Sequence, residues 1–181
     1  MCHVVIPYLA TSNGCYNKTN ATMEQNEQLF TDIVQQYKST IYTVCYMFSK
    51  DADEVSDLFQ EVLINIWQGM KSFEQRSDLC TWIYRVSLNT CISAERKRKR
   101  RKTVPLTMDI NLFEDEDATS RQADMLHKRI TRLPLLDRAI ILLWLENLSY
   151  DEIAAILGIS VKNVSVRLVR IREQLKNMNN D

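Results

Sequence analysis

Apolar side chains recur at helical spacing through most of the chain, and the places where that rhythm stops divide it. From Glu24 to Phe48 the repeating positions are Leu29, Ile33, Val34, Tyr37, Ile41, Val44, Cys45 and Phe48. They predict one long amphipathic helix, or two with a break near Ser39. Ser49-Lys50-Asp51 punctuates the pattern. A second helix is expected from about Asp53, whose carboxylate can accept from free amides, with Glu54 favourable in the first turn. Its apolar stripe is Val55, Leu58, Phe59, Val62, Leu63, Ile66 and Trp67, and Gly69 ends it. Asp57, Gln60, Glu61, Asn65 and Gln68 make its polar face. Lys71–Asp78 is a polar loop anchored by Phe73. No residue from Thr81 to Lys102 breaks a helix, and Ser77 or Asp78 can cap one there. In this third helix Leu79, Ile83, Val86 and Thr90 form one stripe, with Trp82, Arg85 and Asn89 on its neighbour.

Between Thr103 and Ser120 the periodicity disappears into Pro105 and the acidic run NLFEDEDATS, a composition that buries too little to fold alone. Beyond it a short helix is expected over Arg121–Arg132, then a very apolar one from Pro134 to Glu146. The run Ile140–Leu145 is too continuous for a surface helix and predicts the centre of a small bundle. Ser149 and Glu152 have capping-box spacing ahead of a helix Tyr150–Leu157, Gly158 suits the left-handed position that ends it, and Ser160 caps a last helix Val161–Met178. The inner stripe of that helix is Val164, Leu168, Ile171 and Leu175.

The expected fold class is therefore all-α. Residues 23–102 form a helical bundle, residues 103–120 a flexible acidic linker, and residues 121–178 a second small helical domain. Residues 1–22 read as a disordered tail, or as sequence upstream of a true start at Met23. Three glycines and three prolines in 181 residues, with 45% apolar content, agree with two packed helical cores and argue against sheets.

Charge changes the picture more than composition does. The formal net charge is zero, but a basic block at Arg96–Lys102 is followed by an acidic one at Asp109–Asp117. Local sign sets a binding surface, so the zero does not exclude nucleic acid. The five cysteines form no C-x-x-C pair and no Cys/His cluster of zinc spacing, which suits reduced thiols in a cytoplasm. No apolar run is long enough to span a membrane, and the first residues lack the basic start of a signal peptide. The only histidines are His3 and His127. No nucleophile, base or metal-ligand constellation suggests an enzyme, a metal site or a cofactor.

Two stretches carry binding chemistry. Helix, tight glycine turn, helix over an apolar bundle is the signature of a helix-turn-helix. Its last helix shows Lys162, Asn163, Ser165, Arg167, Arg170 and Arg172 outward, the donors that major-groove edges and phosphates need. The stretch Leu79–Lys102 joins Trp82 and Tyr84 to an almost solid Arg/Lys run. Aromatic faces stack on unpaired bases while cations hold the neighbouring phosphates. The same aromatics equally fit a core, and the same cations a solvated face.

Three motifs in order resemble one family. DADEVSDLFQEVLINIW at Asp51–Trp67, the Phe73–Asn89 segment with T-W-I-Y-R-V-S, and Leu133–Leu175 are similar to the sigma factors of bacterial RNA polymerase, in the small extracytoplasmic-function (ECF) group. The resemblance implies a region 2 bundle and a region 4 helix-turn-helix, with core RNA polymerase, promoter DNA and an anti-sigma factor as partners. It implies that Asp53, Asp57, Gln60 and Glu61 dock on core polymerase. It assigns −10 recognition and melting to Phe73, Arg76, Ser77, Trp82, Arg85, Asn89 and Arg96, and −35 recognition to Ser160, Lys162, Asn163, Ser165, Arg167, Arg170 and Arg172. The chain departs from the family at Asn163-Val164-Ser165-Val166, where relatives often have Thr-Val-Lys-Ser, and at Gln75-Arg76, where relatives often have a small or acidic residue. A stand-alone helix-turn-helix regulator would explain Leu133–Leu175 alone. A helical adaptor would use only the Asp53–Trp67 face.

Overall fold

A computed structural model describes residues 18–49, 51–70, 73, 78–100 and 118–178. Among them are seven helices and no strand: α1 Lys18–Phe48, α2 Ala52–Met70, α3 Leu79–Arg100, α4 Ala118–Thr131, α5 Leu135–Leu145, α6 Tyr150–Leu157 and α7 Val161–Asn177. The expected tail lies outside the described residues as far as residue 17; from Lys18 the chain is helical. Of the two options for the first element the single helix is the one found, unbroken through Ser39.

Helices α1, α2 and α3 form the first bundle. Ile41, Val44, Cys45 and Phe48 meet Val55, Leu58, Val62 and Ile66 and, from α3, Ile83, Tyr84, Leu88 and Cys91. The stripe read for α2 is the one buried, with Phe59, Leu63 and Trp67 half-buried at its edges. Trp67 meets Phe30 of α1 edge to face, ring centroids 5.2 Å apart. The α2 cap is Asp51, not Asp53: its Oδ1 accepts from the Glu54 amide at 2.8 Å, so the helix opens one residue earlier than its acidic pair suggests. Asp78 caps α3 by accepting from the Cys80 amide.

In α3 the buried face is broader than the expected stripe. Tyr84, Ser87, Leu88, Cys91 and Glu95 join Ile83 and Thr90. Ser87 and Thr90 satisfy their hydroxyls on carbonyls one turn back, and Asn65 of α2 donates to Thr90 Oγ1 at 2.9 Å. Tyr84 is 4% exposed, and burial, reinforced by Glu146, pushes its phenol well above the ordinary tyrosine range.

The second unit packs α5 at its centre, with Ala139–Leu143 buried against Ile153 and Ile156 of α6 and Val164, Leu168 and Ile171 of α7. The apolar run ends sooner than its hydropathy implies, because Leu145 is 40% exposed at the end of α5. The turns are as their residues dictate. Ser149 Oγ accepts from the Glu152 amide while the Glu152 carboxylate takes the Ser149 amide, a complete capping box. The Ser149 hydroxyl, at 2.7 Å, and the Ser149 amide, at 2.8 Å, both donate to the Glu152 carboxylate and hold it below its ordinary pKa. Gly158 ends α6 at φ 67°, where a Cβ is strained. Ser160 then accepts from the Asn163 amide to start α7.

The two units touch. α3 lies against α6, and α1 against α4 and α5. His127 of α4 stacks on Tyr46 of α1, ring centroids 4.3 Å apart, with its Nε2 3.1 Å from the Tyr46 carbonyl oxygen. Arg138 of α5 and Glu95 of α3 are each 5% exposed and face one another at 4.0 Å. Glu95 also accepts from Arg98 and lies 3.3 Å from Lys99, and Arg98 bridges on to Glu54 of α2. The Arg138 guanidinium donates to the Thr131 and Leu133 carbonyls and sits 5.3 Å over the Phe48 ring. Burial lowers its pKa, with Glu95 opposing and Arg98 adding to the effect. A carboxylate on one unit thus neutralises a cation that the other unit has taken out of water.

Candidate nucleic-acid interface

The outer face of α2 is acidic because its buried stripe claims every third or fourth position and leaves polar residues on the far side. Asp53, Asp57, Gln60 and Glu61 are all exposed there. Ile64 follows in the same row, also exposed. Such a surface repels a phosphate backbone and suits a basic protein partner.

The neighbouring face, on α3, holds Trp82, Arg85, Asn89 and Arg96. Trp82 is half-buried: Phe73, from the loop before α3, tilts against it at 4.9 Å between centroids. Gly69 does not end α2, which runs on to Met70, but it lies so close to the indole that a Cβ there would meet it at 2.9 Å, so the packing of Trp82 favours glycine at this position. Asn89 and Arg96 are exposed. Arg85 is not open to solvent in the same way: it reaches across to α6, donating to the Ile156 carbonyl at 3.3 Å and to that of Ala155. Arg76 and Ser77 lie outside the described residues. In the basic run Arg96, Lys97, Lys99 and Arg100 are exposed, while Arg98 is spent on Glu54 and Glu95.

On α7 the buried line Val164, Leu168, Ile171 sets the opposite side outward. The seven residues read from sequence are held in different ways. Ser160 is the cap, and Asn163 Oδ1 accepts from Arg167 Nε at 3.0 Å while Arg167 Nη1 donates to Asp137 of α5 at 2.7 Å. Arg172 is exposed but leans over the Trp144 ring at 5.4 Å. Lys162 and Arg170 are exposed and, among the described residues, have no ion-pair partner; Ser165 sits half-buried at the edge. Of the four cations among these seven residues, Lys162 and Arg170 are open, whereas Arg167 and Arg172 are engaged with their own domain.

Sequence reasoning missed three features here. Glu95 and Arg138 gave no local sign of pairing across more than forty positions. The short reach of Arg85 onto α6 is likewise a product of packing between units. Val166 and Val169, 42% and 55% exposed, stand on the outward face of α7; their signal was available, as two aliphatic residues off the buried line.

Residues 33–101 match the family model described as sigma-70 region 2, and residues 123–175 the one described as sigma-70, region 4. The chain is 32% identical over 166 residues to the ECF RNA polymerase sigma factor SigW of Bacillus subtilis (strain 168), covering 83% of this chain and 89% of that protein. It is 29% identical over 170 residues to the ECF RNA polymerase sigma-E factor of Escherichia coli (strain K12), covering 84% and 87% respectively. Among solved structures, the sigma factor RpoE in complex with the anti-sigma factor NepR from Bartonella quintana is 25% identical with a TM-score of 0.67, over 81% of this chain and 94% of that one. With a region 2 bundle and a region 4 helix-turn-helix in order on one chain, and relatives aligned along most of its length, the chain belongs to the ECF group of the sigma-70 family.

Proposed function

We propose that the protein is an ECF sigma factor that binds core RNA polymerase and directs it to promoters with −10 and −35 elements. The observation that carries this reading is the pairing, on one chain, of the exposed acidic face of α2 with a capped helix-turn-helix whose outer face keeps Lys162 and Arg170 open. Asp53, Asp57, Gln60 and Glu61 dock on polymerase. Phe73, Arg76, Ser77, Trp82, Arg85, Asn89 and Arg96 receive the −10 strand once it is unpaired, stacking and neutralising it. The helix α7, with Ser160, Lys162, Asn163, Ser165, Arg167, Arg170 and Arg172, reads the −35 duplex. An anti-sigma factor is the expected regulatory partner, the cytoplasm the place of action, and no bond chemistry is assigned to the chain. Arg85 reaches DNA only after leaving the α6 carbonyls, so promoter engagement separates α3 from α6.

The test mixes the full-length protein with core polymerase and a promoter library and sequences run-off transcripts. Promoter-dependent initiation is expected. Binding of duplex DNA without any initiation would instead favour a stand-alone helix-turn-helix regulator, which leaves the α2 face without a role.

A further inference from the structure

The outward face of α7 is not uniformly polar. Taking the buried line Val164, Leu168 and Ile171 as one side, the positions directly opposite are Lys162, Val166, Val169, Arg170 and Glu173. Val166 and Val169 are three apart and so adjacent on the helix surface. Both are exposed, Val169 more than any other large apolar residue of the helix. A single exposed aliphatic residue needs no explanation. Here two share the middle of the one face that has Lys162 at its start and Arg170 beyond it, both without an ion-pair partner among the described residues.

We propose that Val166 and Val169 read the 5-methyl groups of thymines in the upstream duplex, making them specificity residues of the helix. This rests on the reading of α7 as the −35 reader. A valine can neither donate nor accept a hydrogen bond. Set against the edge of guanine, adenine or cytosine it leaves a base donor or acceptor without a partner, which costs affinity. The thymine methyl is the one apolar group that base edges show in the major groove. The cations on either side suit phosphates flanking the groove, which favours DNA over a protein as the occupant of this face.

The test uses holoenzyme assembled from the full-length chain and core polymerase. Duplexes randomised upstream of a fixed downstream element are selected for binding, and each thymine of the selected upstream element is then replaced in turn by deoxyuridine, which removes only the methyl. Wild-type holoenzyme is expected to lose about fourfold in affinity at one or two of these positions, the worth of one buried methyl. Val166→Ala or Val169→Ala should abolish the loss at its own position. The salt slope of binding should stay unchanged, because no charge is removed. Both variants should keep the wild-type melting temperature, since the side chains are exposed and alanine favours helix. If uracil is tolerated at every position while Arg170→Ala still weakens upstream binding, the helix reads DNA without these valines and the proposal is overturned. If neither Arg170→Ala nor scrambling the upstream element changes binding, the −35 reading itself falls, and this proposal with it.

Discussion

The two candidate DNA surfaces, on α3 and on α7, are built from similar residue types but are finished in different ways. On α7 the local turn chemistry finishes the surface. Ser160 caps the helix, Gly158 sets its entry, and Lys162 and Arg170 are left open. On α3 Asn89 and Arg96 are exposed, but three side chains are engaged with protein: Arg85 on α6, Trp82 under Phe73, Arg98 between Glu54 and Glu95. A duplex presents its grooves already formed, so a rigid helix face can meet it at once. Unpaired bases exist only after melting, and a surface for them can stay folded against its own protein until then.

The sharpest way to break that contrast is at the hub that holds α3 to the second unit. Glu95→Ala leaves the buried Arg138 without its carboxylate, and a loss of about 3 kcal/mol in stability is expected from chemical denaturation. A loss below about 1 kcal/mol would show that water screens the pair and that the units are held by other contacts. Next comes Trp82. Trp82→Ala should reduce open-complex formation on the order of tenfold, the worth of one stacked base, while polymerase binding changes little. Equal loss of both, with a lowered melting temperature, would make the indole a packing residue beneath Phe73. The smallest effect separates the two arginines of α7. Arg170→Ala should flatten the salt dependence of duplex binding by about one unit, whereas Arg167→Ala should leave the slope nearly unchanged, because Asp137 already neutralises that guanidinium. Equal flattening by both would mean that Arg167 leaves Asp137 on DNA.

What was legible in the sequence was whatever local chemistry decides. The α2 and α7 stripes, the Ser149–Glu152 capping box, the Gly158 stop and the Ser160 cap all depend on residues within about one turn, and each appears in its expected position. Asp51 rather than Asp53 caps α2, because the first acidic residue in reach of the free amides takes the bond. What was not legible depends on which helix faces which. Tyr84 reads as a stacking aromatic beside Trp82, yet it falls 200° around the helix and is buried. The basic run reads as one cationic track, yet Arg98 turns inward because Glu54 and Glu95 lie there. Arg85 reads as a DNA contact, and only the packing of α6 on α3 gives it carbonyl partners.

The contact of Arg85 with α6 carries a thermodynamic consequence for the proposed function. A ligand that binds only the separated form sees an affinity scaled down by the fraction of molecules already separated. Each 1.4 kcal/mol by which the joined form is favoured lowers apparent promoter affinity about tenfold. Linkage makes the relation reciprocal: any molecule that prefers the joined form weakens promoter binding by the same factor that promoter weakens its own. If Arg85 acts as proposed, two carbonyl oxygens near the end of a short helix, α6, would set part of the threshold that polymerase and promoter must exceed before initiation begins.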